Sequence, residues 1–185
     1  MQAARGTSLS DLNDTAAPTP APVRRPRLQA LAVVVAAAGL TVDQLTKTIA
    51  VDRLTGRPDI EVVGELLQLH LTRNPGAAFS TGTGFTVALS CLAVLAAVVV
   101  AWLVRRVGSP LWALSLGLLL AGITGNLGDR LFRAPGPLRG HVVDFLMLPN
   151  WPVFNVADIC ITAAAVGIVL QTFRGIAIDG RRDGA

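Results

Sequence analysis

The sequence predicts an all-α membrane protein: four transmembrane helices with a small extracytoplasmic β element between helices 1 and 2. Composition is the first sign, since 52% of the 185 residues are hydrophobic and only 15% are charged, a balance typical of chains that live in lipid. Spacing is the second. Phe85 to Val104, Leu111 to Leu131 and Val156 to Phe173 are each apolar over the roughly 20 residues that cross a hydrocarbon core of about 30 Å, and Leu28 to Ala50 is a fourth stretch that turns polar at Asp43, Gln44 and Lys47. The β element rests on alternation: Leu67, Leu69 and Leu71 interleave with Gln68, His70 and Thr72, the period of a half-buried strand, with Ile60 to Val63 as its partner.

Before the first span, Met1 to Pro26 are rich in Ala, Pro, Thr and Ser without apolar periodicity, so residues 1–26 are expected to be a disordered cytoplasmic tail. Arg24-Arg25-Pro26-Arg27 followed by an apolar run and Ala36-Ala37-Ala38 has the look of a cleavable export signal. The apolar run continues past Ala38 and ends in the polar group from Asp43 to Lys47, so a retained helix is expected. The net charge of +4 is not read as a nucleic-acid footprint, because Arg24, Arg25, Arg27, Arg105, Arg106, Arg174, Arg181 and Arg182 flank the spans. Clusters of that kind set topology and place both termini and the Arg105 to Pro110 turn in the cytoplasm. Residues 27–173 then form one intramembrane domain and residues 174–185 a cytoplasmic C-terminal tail. Cys91 and Cys160 fall inside spans with no metal-type spacing, and both are expected to be small apolar core residues.

With this topology the polar helix positions share one depth. Asp43 and Lys47 lie late in helix 1, Asn126, Asp129 and Arg130 late in helix 3, Asn155 and Asp158 early in helix 4, and Asn74 and Asp144 in adjoining loops. Charged groups at membrane depth need a partner or a function. Asp43 and Lys47, four apart, share a helix face and are expected to pair. Lys47 is the one lysine beside fifteen arginines, which suggests a place where a compact ammonium is required. Asp129 and Arg130 are read as an ion pair acting as a structural clamp, and Gly122 and Gly125 as sites of close helix approach. Asp144 and Asp158 have no basic residue adjacent, and a carboxylate pair at a membrane surface is a candidate catalytic dyad. His70 and His141 are read as surface or loop residues.

Five segments, Asp43-Gln-Leu-Thr-Lys47, Asn74-Pro-Gly-Ala-Ala-Phe79, Gly125-Asn-Leu-Gly-Asp129-Arg130, Gly140-His-Val-Val-Asp144-Phe145 and Phe154-Asn-Val-Ala-Asp158, resemble in order and spacing the motifs of the lipoprotein signal peptidases, or signal peptidase II. The resemblance covers about Leu31 to Leu170. It implies an aspartic intramembrane endopeptidase of the bacterial cytoplasmic membrane that cuts prolipoproteins just before a diacylglyceryl-modified cysteine, at the outer leaflet. By the same resemblance Asp144 and Asp158 are the catalytic dyad, and Asp43, Lys47, Asn74, Gly76, Asn126, Asp129, Arg130, Asn155 and Ala157 hold supporting or substrate-contacting positions. The expected partners are lipid-modified prolipoproteins and membrane lipids, with no nucleic acid, no metal and no cofactor, and the chain is expected to be a monomer.

Two rival readings differ in class. A metal-dependent membrane lipid phosphotransferase would use the aspartates to hold a divalent ion with phosphate. A proton-coupled carrier or an assembly factor would use buried ion pairs, but four short spans without an internal repeat, polar at one surface only, do not favour it.

Overall fold

A computed structural model describes residues 25–76 and 85–182. Of the tail expected over residues 1–26, residues 1–24 lie outside the described residues, as do Ala77, Ala78 and Phe79, while Pro26 is already the first residue of a helix. Among the described residues, four helices are long and apolar enough to cross a membrane: α1 (Pro26–Leu54), α2 (Thr86–Val104), α3 (Pro110–Phe132) and α4 (Val156–Phe173). Their starts follow from local chemistry. Pro26 and Pro110 occupy first-turn positions where no donor is needed, the Ser109 side chain accepts from Trp112 N at 3.2 Å, and Asn155 and Asp158 form a reciprocal capping box.

Helix α3 is the centre of the bundle and packs against α1, α2 and α4. Small residues make this possible. A Cβ on Gly122 would lie 2.5 Å from the Ala157 carbonyl oxygen, and one on Gly125 2.5 Å from an Asp43 carboxylate oxygen, so the expected close approach is present and its partners are α4 and α1. The outer faces of the other helices carry exposed apolar residues such as Val34, Leu45, Leu92, Val98 and Val166, as lipid contact requires. Cys160 is buried, but Cys91 is exposed on α2, so the core position expected for Cys91 is corrected: it sits on the flank that α2 does not turn toward α3.

The predicted hairpin is present and larger than expected. Strands β1 (Ile60–Val63) and β2 (Leu67–Asn74) pair antiparallel, and β2 pairs in turn with β3 (Val142–Met147) in a three-stranded sheet of order β1-β2-β3. Asn74 and Asp144 were expected in loops, and both are strand residues, with Thr72 opposite Asp144 and Asn74 opposite Val142. After β3 the chain turns back through Asn150, which has φ 57°, and Phe154 bonds Leu146 in both directions at 2.9 Å. That return brings the start of α4 beside the strand.

At the opposite end of the bundle, residues beyond α4 fold onto the α2–α3 turn. Trp112 Nε1 donates to the Ile176 carbonyl at 2.9 Å and Gly108 N to that of Ile178 at 2.7 Å. Arg25 donates to the Gly108 carbonyl from the other side. Around them Ala32, Val100, Val104, Val107, Trp112 and Leu116 form an apolar cluster.

Candidate active site

Asp144 and Asp158 come from different elements. Asp144 lies at the middle of β3, 3% exposed, while Asp158 is the third residue of α4. One residue spans the two. Asn155 Nδ2 donates to Asp144 Oδ1 at 2.6 Å, and its backbone N–H donates to Asp158 Oδ2 at 3.1 Å. Each carboxylate has one more amide donor: Asn74 Nδ2 to Asp144 Oδ2 at 3.2 Å and Asn126 Nδ2 to Asp158 Oδ1 at 2.9 Å. A carboxylate accepts through both oxygens, so four hydrogen bonds fix the two groups in place.

The amides are themselves oriented from behind. Asn126 Oδ1 accepts from Lys47 Nζ at 2.8 Å and from Asn155 Nδ2 at 3.1 Å. An ammonium can only donate, so Lys47 obliges Asn126 to present its oxygen inward and its nitrogen to Asp158. Lys47 is fully buried, and its other acceptors are Asp43 Oδ2 at 3.0 Å and Asp129 Oδ2 at 2.9 Å. Three hydrogens meet three acceptors. Asp43 in turn binds the backbone N–H of Ala157 at 2.9 Å and Gln44 Nε2 at 3.0 Å, which ties α1 to the start of α4.

Asp43 and Lys47 pair as their spacing predicts. The pairing expected for Asp129 is corrected. Its carboxylate is held by Lys47, by Arg133 Nε at 2.6 Å and by the backbone N–H of Val143 at 3.1 Å, and no ion pair joins it to Arg130 among the described residues. Neighbouring residues on a helix point about 100° apart, whereas Arg133 lies one turn on and shares the Asp129 face. Arg130 turns the other way. Its Nη2 donates to the Gly76 carbonyl at 2.6 Å, and its buried Nε has no hydrogen-bond partner among the described residues. Gly76 N in turn donates to Asn74 Oδ1 at 2.9 Å, so the β2 end, Arg130 and Asp144 are locked together. His70 is half-buried on β2 with its side chain 42% exposed, and it meets Asp59 at 2.7 Å, a partner eleven residues away that spacing did not reveal.

A cavity of about 460 Å³ opens over the two carboxylates. Asn74, Gly76, Asn126 and Arg130 line its polar side, and Trp151, Val153, Phe154 and Ile161 its apolar side. Trp151 was not singled out from the sequence, and its place beside Pro152 in a turn was the only signal for it. Burial, and then the neighbouring Asp158 charge, push the Asp144 carboxyl up to about 6, against hydrogen bonds from Asn155 and Asn74 and the charge of Lys47. A carboxyl in that range holds or releases a proton near neutrality, as acid–base chemistry on a polar bond requires.

Residues 35–174 match the family described as signal peptidase (SPase) II. The chain is 49% identical over 166 residues to a lipoprotein signal peptidase of Mycobacterium tuberculosis, covering 88% of this chain and 80% of that one. It is 46% identical over 182 residues to a lipoprotein signal peptidase of Rhodococcus jostii, covering 96% and 91%. A bacterial membrane enzyme structure obtained by the in meso method at 2.3 Å resolution aligns with a TM-score of 0.69 at 22% identity, over 83% of this chain and 93% of that chain. A likeness at that identity speaks for the fold.

Proposed function

The chain belongs to the signal peptidase II family, and from that premise we propose that Asp144 and Asp158 are the catalytic dyad of an aspartic endopeptidase that frees lipid-modified prolipoproteins of their signal peptides. The activity is signal-peptide cleavage by a multi-pass protein of the bacterial cytoplasmic membrane. The dyad assignment rests on one observation above the rest: Asn155 bonds both carboxyls, and both line the same cavity.

Two carboxyls so close share one proton and titrate as a pair. The ionised member takes a proton from water as the water oxygen attacks the scissile carbonyl carbon. The protonated member donates to the carbonyl oxygen. Collapse of the tetrahedral adduct then breaks the C–N bond, and a proton from the dyad passes to the leaving amine. Asn74, Asn126 and Asn155 position the pair, and Lys47, Asp43, Asp129 and the Ala157 backbone hold those amides from behind. Arg130 and Gly76 wall the cavity on the side where a substrate backbone lies.

The arginines beside α1, α2 and α4 favour cytoplasmic termini, which puts the dyad at the outer leaflet. There a diacylglyceryl group stays in lipid while the bond beside it reaches the cavity. Residues 27–173 act as one catalytic domain, and the chain works as a monomer. The test is product analysis with the purified full chain in liposomes. A lipid-modified prolipoprotein should be cut so that the new N-terminus is the lipidated cysteine, at an unchanged rate in EDTA. Cleavage elsewhere, equal cleavage of the unlipidated precursor, or loss of activity with the chelator would each count against this reading.

A further inference from the structure

Away from the dyad, a second depression of about 520 Å³ is lined by Arg73, Arg133, Ala134, Pro135 and His141. Arg133 is the C-cap of α3, so the depression lies at the end of a membrane-crossing helix, at head-group depth. Three of its five lining residues bring side-chain N–H donors, and none brings a carboxylate. Of the five lining residues Asp129 pairs with Arg133 alone, through Nε at 2.6 Å, and leaves that side chain 27% exposed. Arg73 makes no ion pair among the described residues, and Asp59, which lines an adjoining depression with it, pairs with His70 at 2.7 Å. Beside Arg133 stands Phe132, 87% exposed, an apolar surface next to a cationic one.

We infer that this depression is a phosphate site, occupied at the membrane surface by the head group of an anionic phospholipid. Guanidinium groups match phosphate oxygens in paired hydrogen bonds, and a basic depression beside the bilayer surface is placed to take those oxygens from a head group. Arg73 and Arg133 grip the phosphate, the His141 ring adds a donor, and the acyl chains run along the Phe132 side of α3. Arg73 and His141 take no part in the dyad network, so the site can be emptied without touching the chemistry.

The experiment is native mass spectrometry of the detergent-solubilised full chain with phosphatidylglycerol and phosphatidylcholine of the same acyl length. The wild type should retain phosphatidylglycerol over phosphatidylcholine by about fivefold or more, a preference that fades with added salt. R73Q/H141Q should lose the preference while keeping the wild-type unfolding temperature in phosphatidylcholine. Equal retention of both lipids by the wild type overturns the inference, with no variant needed, and so does an undiminished preference in a folded double variant. Inorganic phosphate added alone separates the sources: saturable phosphate binding without any preference for phosphatidylglycerol would make the occupant a free anion and overturn the lipid assignment.

Discussion

Lys47 Nζ meets Asn126 Oδ1 at 2.8 Å, and that bond decides which end of the Asn126 amide faces Asp158. A residue on α1 with no contact to either dyad carboxylate thereby sets the donor that one of them sees. The same ammonium neutralises Asp43 and Asp129 in a volume closed to water, so charge balance and amide orientation depend on one atom.

Replacing that atom should be felt twice. Lys47→Arg brings a planar fork into a site built around three acceptors 2.8–3.0 Å from a point, and should lower turnover at least about tenfold with a loss of about 1–3 kcal/mol of stability. Lys47→Met leaves two buried carboxylates without their cation and should cost about 3–5 kcal/mol. Unfolding in detergent, beside cleavage rates, checks both. Full activity and normal stability of Lys47→Arg would mean that charge alone suffices.

Asp129 is a structural group in this arrangement. Asp129→Asn keeps one acceptor where Lys47, Arg133 and the Val143 N–H now find two carboxylate oxygens, and it should lose about 1–3 kcal/mol along with activity. A variant that lost activity at wild-type stability would move Asp129 into the chemistry.

Two glycines three residues apart on α3 should behave oppositely. A Cβ on Gly125 meets the Asp43 carboxylate at 2.5 Å, whereas one on Gly128 meets only the flexible Gln44 amide at 3.8 Å. Gly125→Ala should therefore destabilise by about 1–3 kcal/mol and reduce activity. Gly128→Ala should be neutral or stabilise by up to about 1 kcal/mol. Thermal unfolding of the two variants side by side distinguishes the contacts.

Much of this was legible in the chain. The spans show because lipid demands unbroken apolar runs, and α4 begins and ends where its run does, at Val156 and Phe173. The Asp43 and Lys47 pair follows from helical spacing, and β1 with β2 from alternation. Strand β3 left no such trace. Its first four residues, Val142, Val143, Asp144 and Phe145, are buried on both faces, so the polar half of the period is missing and the segment reads as a loop. Asp129 misled because sequence neighbours are not helix neighbours. The roles of Asn74, Asn126 and Asn155 are set by which atoms tertiary packing brings within 3.2 Å, which no local pattern encodes.

The raised Asp144 carboxyl predicts how stability changes with pH. Its folded form holds the proton up to about 6, above the ordinary carboxylate range, so the native state binds more protons than the unfolded chain between about pH 4 and 6. The contribution is therefore unfavourable above about pH 6 and disappears as the pH falls below about 4. Asp144→Asn removes that burden. The substitution also sets an amide N–H against the Asn155 or Asn74 donor, a cost that does not follow the carboxyl's titration, so the gap in unfolding temperature should shift in the variant's favour by the equivalent of about 1–3 kcal/mol between pH 4 and pH 7.5. A gap that stayed constant with pH would show that Asp144 carries no such penalty.

The most direct test of the dyad is the cleavage rate of a lipid-modified prolipoprotein by the wild type, Asp144→Asn and Asp158→Asn, each shown to be folded by its thermal transition in the same detergent. Both carboxyls take part in moving protons, so each variant should fall by at least about a hundredfold in turnover. Near-normal turnover by either folded variant would contradict the assignment of Asp144 and Asp158 as a catalytic pair.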